Sequence, residues 1–476
     1  SNMFNSCVLS DQFTLPSNFA PLVTNISAMF QNVTLPNNFV LPVNFGSQAT
    51  NMSNLFTESV LNTDIDWSNT DFKDKTGVTK TDMFKNTNWG GHYFLVKNTE
   101  SVTFLITDSG ISDNTRIKVK DINPVLKTET ANPTNFLDVP NLNRSQITKI
   151  SFQNTLPTCS SPTDVSFDGK GGVMACVANS TEIVVGGPAG VIANADSSYL
   201  FSKLSVSGGV EINLTNLNTV NITNMEHMFK GSSLKAVQAL SSDFGKTAVD
   251  MSHMFDSATL LANVVLPDGF GSVATNMANM FDGATLSSNF SLPGGFGSQA
   301  TNMYAMFDSA SLPASLALPA GFGSVAQSMR YMFEGASLPI TSFTLPAGFG
   351  STATNMSSMF TDTTLLAGFE LPDGFGSKAT DTTWMFENAN LPANFVLPTG
   401  FGSVVIDMSD MFQYAVLNGD IDWSGTDLTA STATKGNLFN IITWNGHFIL
   451  AQNQTSVDWL IDGTGAGATN VKVKGS

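Results

Sequence analysis

The sequence predicts a right-handed α+β repeat solenoid, and three observations support this prediction. A Met-Phe or Leu-Phe pair returns about every 26 residues, in two arrays separated by one long gap. Hydrophobic residues make up 42% of the 476 residues and charged residues only 12%, which indicates a packed chain rather than a disordered one. Because each repeat unit is buried only against its neighbours, an array of this kind escapes the size limit of a single core.

The phenylalanine of each pair marks one repeat unit, and the steps between marks set the length of the unit. A long interval without a mark separates Phe84 from Phe229, so we predict two arrays rather than one. The marks are Phe4, Phe30, Phe56 and Phe84 in the first array, and Phe229, Phe255, Phe281, Phe307, Phe333, Phe360, Phe386, Phe412 and Phe439 in the second.

The first part of each unit has a helical period. In "TNMANMFDGATL", which begins at Thr275, the apolar residues Met277, Met280, Phe281 and Ala284 lie at i, i+3, i+4 and i+7. This spacing predicts one face of a short helix, with Thr275 as its N-cap. We interpret the methionines as core residues rather than as metal or thioether ligands.

The second part of each unit has the period of a strand. In "NFSLPGGFGS", Phe290 and Leu292 are two residues apart and so point to one side of a short strand. Pro293 ends the predicted strand, and the glycines after it supply a corner. Stacked units therefore form interior ladders. The asparagine of each Thr-Asn-Met segment is predicted to form a ladder that satisfies backbone groups; examples are Asn51, Asn276, Asn302 and Asn355.

A duplicated segment defines the ends of the arrays. "VLNTDIDWSNTDF" at Val60 returns as "VLNGDIDWSGTDL" at Val416, and each copy leads through an aromatic run to Lys-Val-Lys. Since a solenoid needs an atypical end to cover its last coil, residues 57–120 and 413–476 are predicted to be two copies of one C-terminal cap.

The remaining boundaries follow from composition. Residues 1–120 are predicted to be the C-terminal part of a first array with its cap, and the Pro-, Asn- and Thr-rich residues 121–146 a linker. Residues 147–476 form the second domain, with a β-rich entry cap at 147–210, repeats at 211–412 and a cap at 413–476. Because the chain opens inside a repeat, we expect it to be a monomeric piece of a longer protein.

The segment "SSYLFSKLSVSGGVEINLTNLNTVNITNMEHMFKGSSL" resembles the BspA-like leucine-rich repeat surface proteins. That family repeats a Leu-x-Leu-x-x-Phe strand followed by Thr-Asn-Met-x-x-Met-Phe, and the likeness covers both arrays. The central repeats depart from it, because "F-x-L-P-x-G-F-G-S" replaces the polar strand. The resemblance implies a leucine-rich-repeat-like solenoid and an extracellular cell-surface protein of the adhesin type, associated with virulence, that binds host or microbial surface proteins or glycans.

Charge and hydropathy exclude several classes of partner. The formal net charge is -17, which argues against nucleic acid because that partner demands clustered Lys and Arg. No run of eighteen apolar residues exists, and the first ten residues do not have the pattern of a signal peptide, so direct membrane insertion is not expected.

No motif in the sequence indicates catalysis or a cofactor, so we expect a protein that is not an enzyme and uses no cofactor. His92 and His447 recur because the cap is duplicated, and they have no nucleophile motif nearby. His227 and His253 fall at one repeat position and are expected to stack. Two histidines alone are weak evidence for a metal site.

Two sets of carboxylates recur in the sequence, one in the caps and one in the repeats. A weak calcium alternative exists at the alternating aspartates of the caps, but we favour solvated edge residues because the EF-hand Gly and Glu positions are missing. These aspartates are Asp64, Asp66, Asp420 and Asp422. A second set follows the Met-Phe mark; we call it the acidic row and expect it to favour solubility, with a cation-bridged surface as the alternative. The acidic row comprises Asp256, Asp282, Asp308, Glu334 and Glu387.

The cysteines leave two alternatives. Cys159 and Cys176 flank the turn "DGKGG", so they form either a disulfide, as an exported protein allows, or two buried thiols. Cys7 has no obvious partner and is expected to pack as a small hydrophobe.

The function predicted from the sequence is interaction rather than catalysis. The middle residue of each Phe-x-Leu segment should point outward and form a flat binding face, which we call the outward column. The alternative is a passive stalk or spacer that projects a binding domain outside this chain. The outward column comprises Val265, Ser291, Ala317, Thr344, Glu370 and Val396.

Overall fold

The structure is a computed structural model that describes most of the chain. The chain divides into two compact units. Unit 1 comprises Ser1–Lys127, Gln153–Ala175 and Val185–Val191, and unit 2 comprises Thr128–Phe152, Cys176–Val184 and Ile192–Ser476. The described residues are 1–16, 19, 22–42, 44–68, 70–72, 75–120, 124–131, 133–155, 157, 159, 161–169, 171–187, 190–238, 240–261, 264–338 and 343–475.

The repeats form a β-solenoid of about 15 turns with ~26-residue spacing. The strands are β1 Ile65–Asp66, β2 Phe94–Val96, β3 Ile117–Val119, β4 Lys149–Gln153, β5 Thr163–Asp164, β6 Met174–Asn179, β7 Glu182–Gly186, β8 Val191–Ile192, β9 Val210–Asn213, β10 Leu217–Asn218, β11 Ser233–Gln238, β12 Thr259–Leu260, β13 Asn390–Leu391, β14 Phe395–Val396, β15 Val416–Leu417, β16 Ile421–Asp422, β17 Ile449–Ala451 and β18 Val471–Val473. The helices are α1 Thr99–Ile106 and α2 Gln454–Ile461, and the 3-10 turns are Asn114–Arg116, Phe136–Asp138 and Arg144–Gln146.

Strand pairing within each unit is mostly parallel, as stacked coils require. Unit 1 holds a three-stranded sheet in the order β1-β2-β3, and β5 pairs with the start of β6 as an antiparallel hairpin. In unit 2, β12, β11, β9 and β4 are parallel neighbours in that order, and β14-β16-β17-β18 form the sheet of the second cap.

The structure replaces the short helix predicted in each repeat with consecutive turns. The amide of Met277 donates to the carbonyl of Asn302 in the next coil at 2.9 Å, and that of Phe281 donates to Met306 at 2.9 Å. The amide of Met280 instead donates three residues back, to Met277, at 3.3 Å. Because alternate donors bond to the neighbouring coil, no α-helical i to i−4 series forms. The burial prediction is confirmed, since Met277, Met280, Phe281 and Ala284 are all fully buried.

Left-handed residues make this turn pattern possible. The residue two before each Met-Phe phenylalanine has a positive φ along unit 2, as at His253 (54°), Asn279 (55°), Ala305 (50°) and Trp384 (56°). A left-handed residue reverses the direction of the chain within a turn, so the N–H groups on either side point along the stack. Alanine and aromatic residues occupy this position as well as asparagine. The residue types therefore did not indicate a left-handed conformation.

Aromatic ladders form the core of unit 2. Phe281 and Phe307 stack with their ring centroids 5.3 Å apart and 2° between their planes. The phenylalanines of the Gly-Phe-Gly corners are more widely spaced: the centroids of Phe296 and Phe322 are 6.2 Å apart. Neighbouring coils are therefore closer at the Met-Phe ladder than at the glycine corners.

Among the described repeats, the predicted Phe-x-Leu strand is assigned as a paired strand at β14, next to the second cap. β14 pairs with β16, whereas "FSLP" at residues 290–293 has no strand assignment. The glycine corner is confirmed: Gly295 and Gly297 have φ values of 79° and 68°.

The two caps have the same construction, as their duplication predicts. Asn98 and Asn453 cap α1 and α2, and each side-chain oxygen accepts from the backbone N–H three residues on, at 2.8 Å. Trp67 and Trp423 are buried, and each indole N–H donates to the backbone carbonyl of a glycine-corner phenylalanine. These are the two α-helices of the described residues, and they lie in the caps rather than in the repeats.

A buried ion pair joins the entry segment of unit 2 to its first coil. Arg144 and Glu129 form a salt bridge with side-chain exposures of 2% and 3%. Arg144 also donates to the backbone carbonyls of Leu200 at 3.0 Å and Ser202 at 2.8 Å. Unit 2 thus takes in Thr128–Phe152, which overlaps the predicted linker at 121–146, while Gln153–Ala175, from the predicted entry cap, belongs to unit 1.

Candidate interaction surfaces

The outward column lies on the surface of unit 2. All six of its residues are exposed, with Val265 at 70% and Val396 at 52%. The flanking Phe and Leu side chains are buried or half-buried. Because side chains alternate along the Phe-x-Leu segment, its middle side chain points to the solvent in each coil. The side chains of the outward column are small and mostly uncharged.

A groove of about 360 Å³ opens at the C-terminal end of this column. Glu370 and Val396 line it together with the charged side chains of Asp373, Asp422 and Lys474. The second cap contributes Asp422 through β16 and Lys474 from just beyond β18. The groove therefore combines two residues of the predicted column with cap residues that the sequence did not connect to it.

An ion pair organises the polar side of the groove. Lys474 Nζ lies 2.5 Å from Asp422 Oδ2, and Ser424 donates to Asp422 Oδ1 through both its backbone N–H (3.0 Å) and its hydroxyl (2.6 Å). Burial alone would raise the pKa of Asp422, but these donors outweigh it and hold the pKa below its ordinary value. Asp422 is therefore a fixed negative charge.

The cap aspartates considered for calcium have protein partners. Asp66 pairs with Lys120 at 2.6 Å in unit 1, as Asp422 pairs with Lys474 in unit 2. Asp64 accepts from the backbone N–H of Tyr93, and Asp420 from that of Phe448, both at 3.0 Å. Within the described residues, no group of three or more His, Cys, Asp or Glu side chains is arranged to hold a metal ion.

The histidines of the caps join these pairs. His92 Nδ1 lies 3.3 Å from Asp64 Oδ1, and His447 Nδ1 lies 3.5 Å from Asp420 Oδ1. Each pair links two strands of its own cap, β1 with β2 and β16 with β17, at their N-terminal ends. The arrangement positions the histidine beside a carboxylate at the surface.

The asparagine ladder is confirmed. The side-chain oxygens of Asn51, Asn276, Asn302 and Asn355 each accept from the backbone N–H two residues on, at 3.0 to 3.3 Å. Asn302 also donates its side-chain N–H to Asn276 Oδ1 at 3.0 Å, which connects neighbouring coils. The ladder therefore satisfies backbone groups within a coil and links one coil to the next.

The acidic row forms an electrostatically coupled surface. Burial and the neighbouring carboxylates of Asp308, Asp362 and Glu387 raise the pKa of Glu334 to about 7. Burial likewise raises the pKa of Asp308, with Asp282 adding to the effect. Since burial and like charges on stacked coils disfavour ionisation, Glu334 is only partly ionised near neutral pH.

The first residue of the acidic row is different. Asp256 accepts from Lys230 at 2.6 Å and lies 2.9 Å from His253 Nδ1. Burial acts to raise the pKa of Asp256, but hydrogen bonds from His253, Lys230 and Ser257 hold it well below its ordinary value. The row therefore begins at a carboxylate that is hydrogen-bonded to a lysine and a histidine, whereas further along the row burial and neighbouring carboxylates raise the pKa of Asp308 and Glu334.

A stack of aromatic rings precedes the acidic row. His227 and His253 stack with their ring centroids 4.5 Å apart, as the sequence predicts, and Tyr199 stacks on His227 at the same distance. Burial, His253 and Lys230 lower the pKa of His227 to about 4, so its imidazole is neutral at pH 7. Tyr199 was not expected in this stack, although it lies two residues before Phe201 just as His227 and His253 lie two residues before Phe229 and Phe255.

Of the two alternatives for Cys159 and Cys176, the structure has the disulfide. Cys159 and Cys176 are disulfide-bonded, and Cys7 is a free, exposed cysteine rather than a packed one. Within the described part of the chain, neither helix has the length and apolar composition needed to cross a bilayer.

Fold and surface together define the class: a β-solenoid repeat protein whose variable side chains stand in columns on the outside of its coils. A family described as "Mycoplasma protein of unknown function, DUF285" matches residues 195–317 and 245–344, which lie in the repeats of unit 2. No curated protein and no solved structure matches the chain.

Proposed function

We propose that this chain is a non-enzymatic interaction module of a cell surface, an adhesin-type solenoid that binds a protein or a glycan through its outward column. The observation that carries the proposal is the run of six exposed side chains at one repeat position, ending in a groove that two of them line. A continuous, mostly uncharged surface next to a polar groove suits a protein or carbohydrate partner.

The resemblance to BspA-like leucine-rich repeat proteins supports an extracellular location and host or microbial surface partners. The two disulfide-bonded cysteines are consistent with an oxidising compartment. The proposal requires no cofactor, because the partner would be recognised by a surface complementary to the outward column.

A binding screen tests this function. The purified chain is screened on immobilised matrix proteins and on a glycan array, and each hit is measured again with Val265→Asp, Ala317→Asp and Val396→Asp. We expect these variants to weaken binding at least tenfold, because each places a charge in an apolar contact.

The matched controls are Val325→Asp and Val404→Asp, which make the same change at exposed valines outside the column. Binding that is insensitive to the column variants would overturn the proposed face. If no partner binds at all, the chain serves as the passive spacer that is the alternative function.

A further inference from the structure

The groove at the C-terminal end of the outward column carries more negative than positive charge. Among the described residues that line it, Glu370, Asp373 and Asp422 supply carboxylates. Lys474 supplies the one ammonium group of this lining. The volume of about 360 Å³ lies within the usual range of ligand sites, roughly 300–1,000 Å³. The groove therefore has room for a long side chain, and its charge favours a cation.

Two of these carboxylates are free to hold a ligand. Lys474 is bonded to Asp422, and Ser424 donates to the other oxygen of that carboxylate. Within the part of the chain that the structure describes, the carboxylates of Glu370 and Asp373 form no ion pair and accept no hydrogen bond. Both residues are exposed. A cation that enters the groove from the solvent can therefore reach both carboxylates.

The first cap shows that a carboxylate at the place of Glu370 is not needed to build a cap. Unit 1 has the same kind of cap ion pair, formed by Asp66 and Lys120. In the coil before its Phe-Val-Leu-Pro segment, however, "FTLP" stands where unit 2 has "FELP", so Thr14 holds the place of Glu370. The same cap is thus built with a neutral residue at this place, and the charge of Glu370 is available for recognition.

An apolar wall lies beside the carboxylates of the groove. Val396, which is 52% exposed, and the half-buried Leu371 both line it. The methylene stem of a basic side chain can pack on such a wall while its charged head reaches the carboxylates. The planar guanidinium of arginine can bond to two carboxylates at once, whereas the ammonium of lysine is a point charge. Two free carboxylates next to an apolar wall therefore suit arginine better than lysine.

We propose that this groove binds an arginine side chain of a protein partner, with the guanidinium bonded to Glu370 and Asp373 and the stem packed on Val396. The inference rests on the proposed function and deepens it, because it makes the partner of the outward column a protein. The residues on one side of that arginine would then lie along the column, whose exposed side chains include Val265 and Ala317.

Fluorescence anisotropy with labelled nonapeptides and the full chain tests the proposal. The first peptide alternates serine and valine around a central arginine, and matched peptides carry lysine or citrulline at the centre. We expect the arginine peptide to bind at least tenfold more tightly than the citrulline peptide, which has the same shape without the charge. We also expect it to bind more tightly than the lysine peptide. Absence of binding, or equal affinity for the citrulline or the lysine peptide, overturns the proposal.

A labelled trimer of glucosamine is the carbohydrate probe, because its amino groups are also cationic. Weaker binding of this trimer than of the arginine peptide supports a protein partner. Tighter or equal binding of the trimer overturns the proposal, since the groove would then recognise a cationic glycan at least as well.

Variants locate the site. Glu370→Gln and Asp373→Asn are each expected to weaken binding of the arginine peptide about threefold, and the double variant about tenfold, because single exposed ion pairs are weak. Asp268→Asn is the matched control, since Asp268 is exposed and holds the repeat position of Asp373 four coils earlier, outside the groove. If Asp268→Asn weakens binding as much as Asp373→Asn does, or if the double variant has no effect, the proposed location is wrong.

The failure of this inference can be told from the failure of the proposed function. Val265→Asp and Ala317→Asp change the outward column outside the groove, whereas the double variant of Glu370 and Asp373 changes the groove. A partner from the binding screen that responds to the two column variants but not to the double variant would overturn the inference and leave the proposed function standing. A partner that responds only to the double variant would support the groove and overturn the column.

Discussion

A left-handed residue recurs two positions before the Met-Phe phenylalanine along unit 2. Ala305 has a φ of 50° and no side-chain group to compensate for it, yet its amide donates to Arg330 in the next coil at 2.8 Å. A left-handed conformation costs an ordinary residue about 1–2 kcal/mol. The bond to the next coil offsets this cost, so the same strained angle recurs at residues of very different chemistry.

Glu334 makes the stability of unit 2 depend on pH. Its pKa rises from an ordinary 4.5 to about 7, first because of burial and then because of Asp308, Asp362 and Glu387. Between pH 4.5 and 7 the folded chain binds more protons at this group than the unfolded chain does, so the free energy of unfolding falls as the pH rises through this window. Glu334→Gln should therefore raise the melting temperature at pH 8 and leave it unchanged at pH 4.

The expected gain is less than about 1 kcal/mol, because solvent screens a half-exposed group. Thermal unfolding followed by circular dichroism at the two pH values measures it, with Glu370→Gln on the outward column as the control. An equal effect of Glu334→Gln at both pH values would show that burial and the neighbouring carboxylates do not raise the pKa of Glu334 in the folded chain.

At the scale of elements, the sequence predicted which residues are buried better than it predicted their backbone conformation. The i, i+3, i+4, i+7 pattern correctly put Met277 and Phe281 in the core, because consecutive turns bury the same positions as a helix. The pattern could not show that these backbone amides donate to the next coil, because the accepting carbonyls belong to residues 25 positions further along the chain. The groove was missed for the same reason: Asp422 and Lys474 meet Glu370 only through coil stacking.

The glycine corner gives a prediction at this scale. Gly297 has a φ of 68°, and a Cβ atom there would lie 2.7 Å from Phe322 Cδ2 and 2.9 Å from Met303 Cε. Since both neighbours are buried, Gly297→Ala combines backbone strain with overpacking and should cost about 2 kcal/mol.

Urea unfolding measures the loss, and Gly294→Ala in the same corner is the control. A Cβ atom at Gly294 meets nothing within 4 Å, so its effect should stay within about 0.5 kcal/mol. Equal effects of the two substitutions would contradict this account of the corner.

At the scale of the molecule, the stability of unit 2 depends on how its first coil is closed. Arg144→Met leaves Glu129 buried without its cation and should cost about 3–5 kcal/mol. The double variant Arg144→Met with Glu129→Leu should recover part of this loss, although the carbonyls of Leu200 and Ser202 still lack their donor. Chemical denaturation of the single and double variants measures the coupling. A double variant no more stable than Arg144→Met would show that the uncompensated charge of Glu129 is not the cause.

The register between coils also determines how such a chain can change its length. Asn276 bridges to Asn302, and Asn302 bridges to Ser328, so each coil offers its neighbours the same donors and acceptors. Removing residues 277–302 would place Asn276 opposite Ser328 with the same backbone bonding available on both sides of the junction. Whole coils are therefore interchangeable genetic units. Recombination between misaligned repeats can add or delete one coil without leaving an unpaired edge, and each event changes the length of the solenoid and the set of side chains along its outer columns.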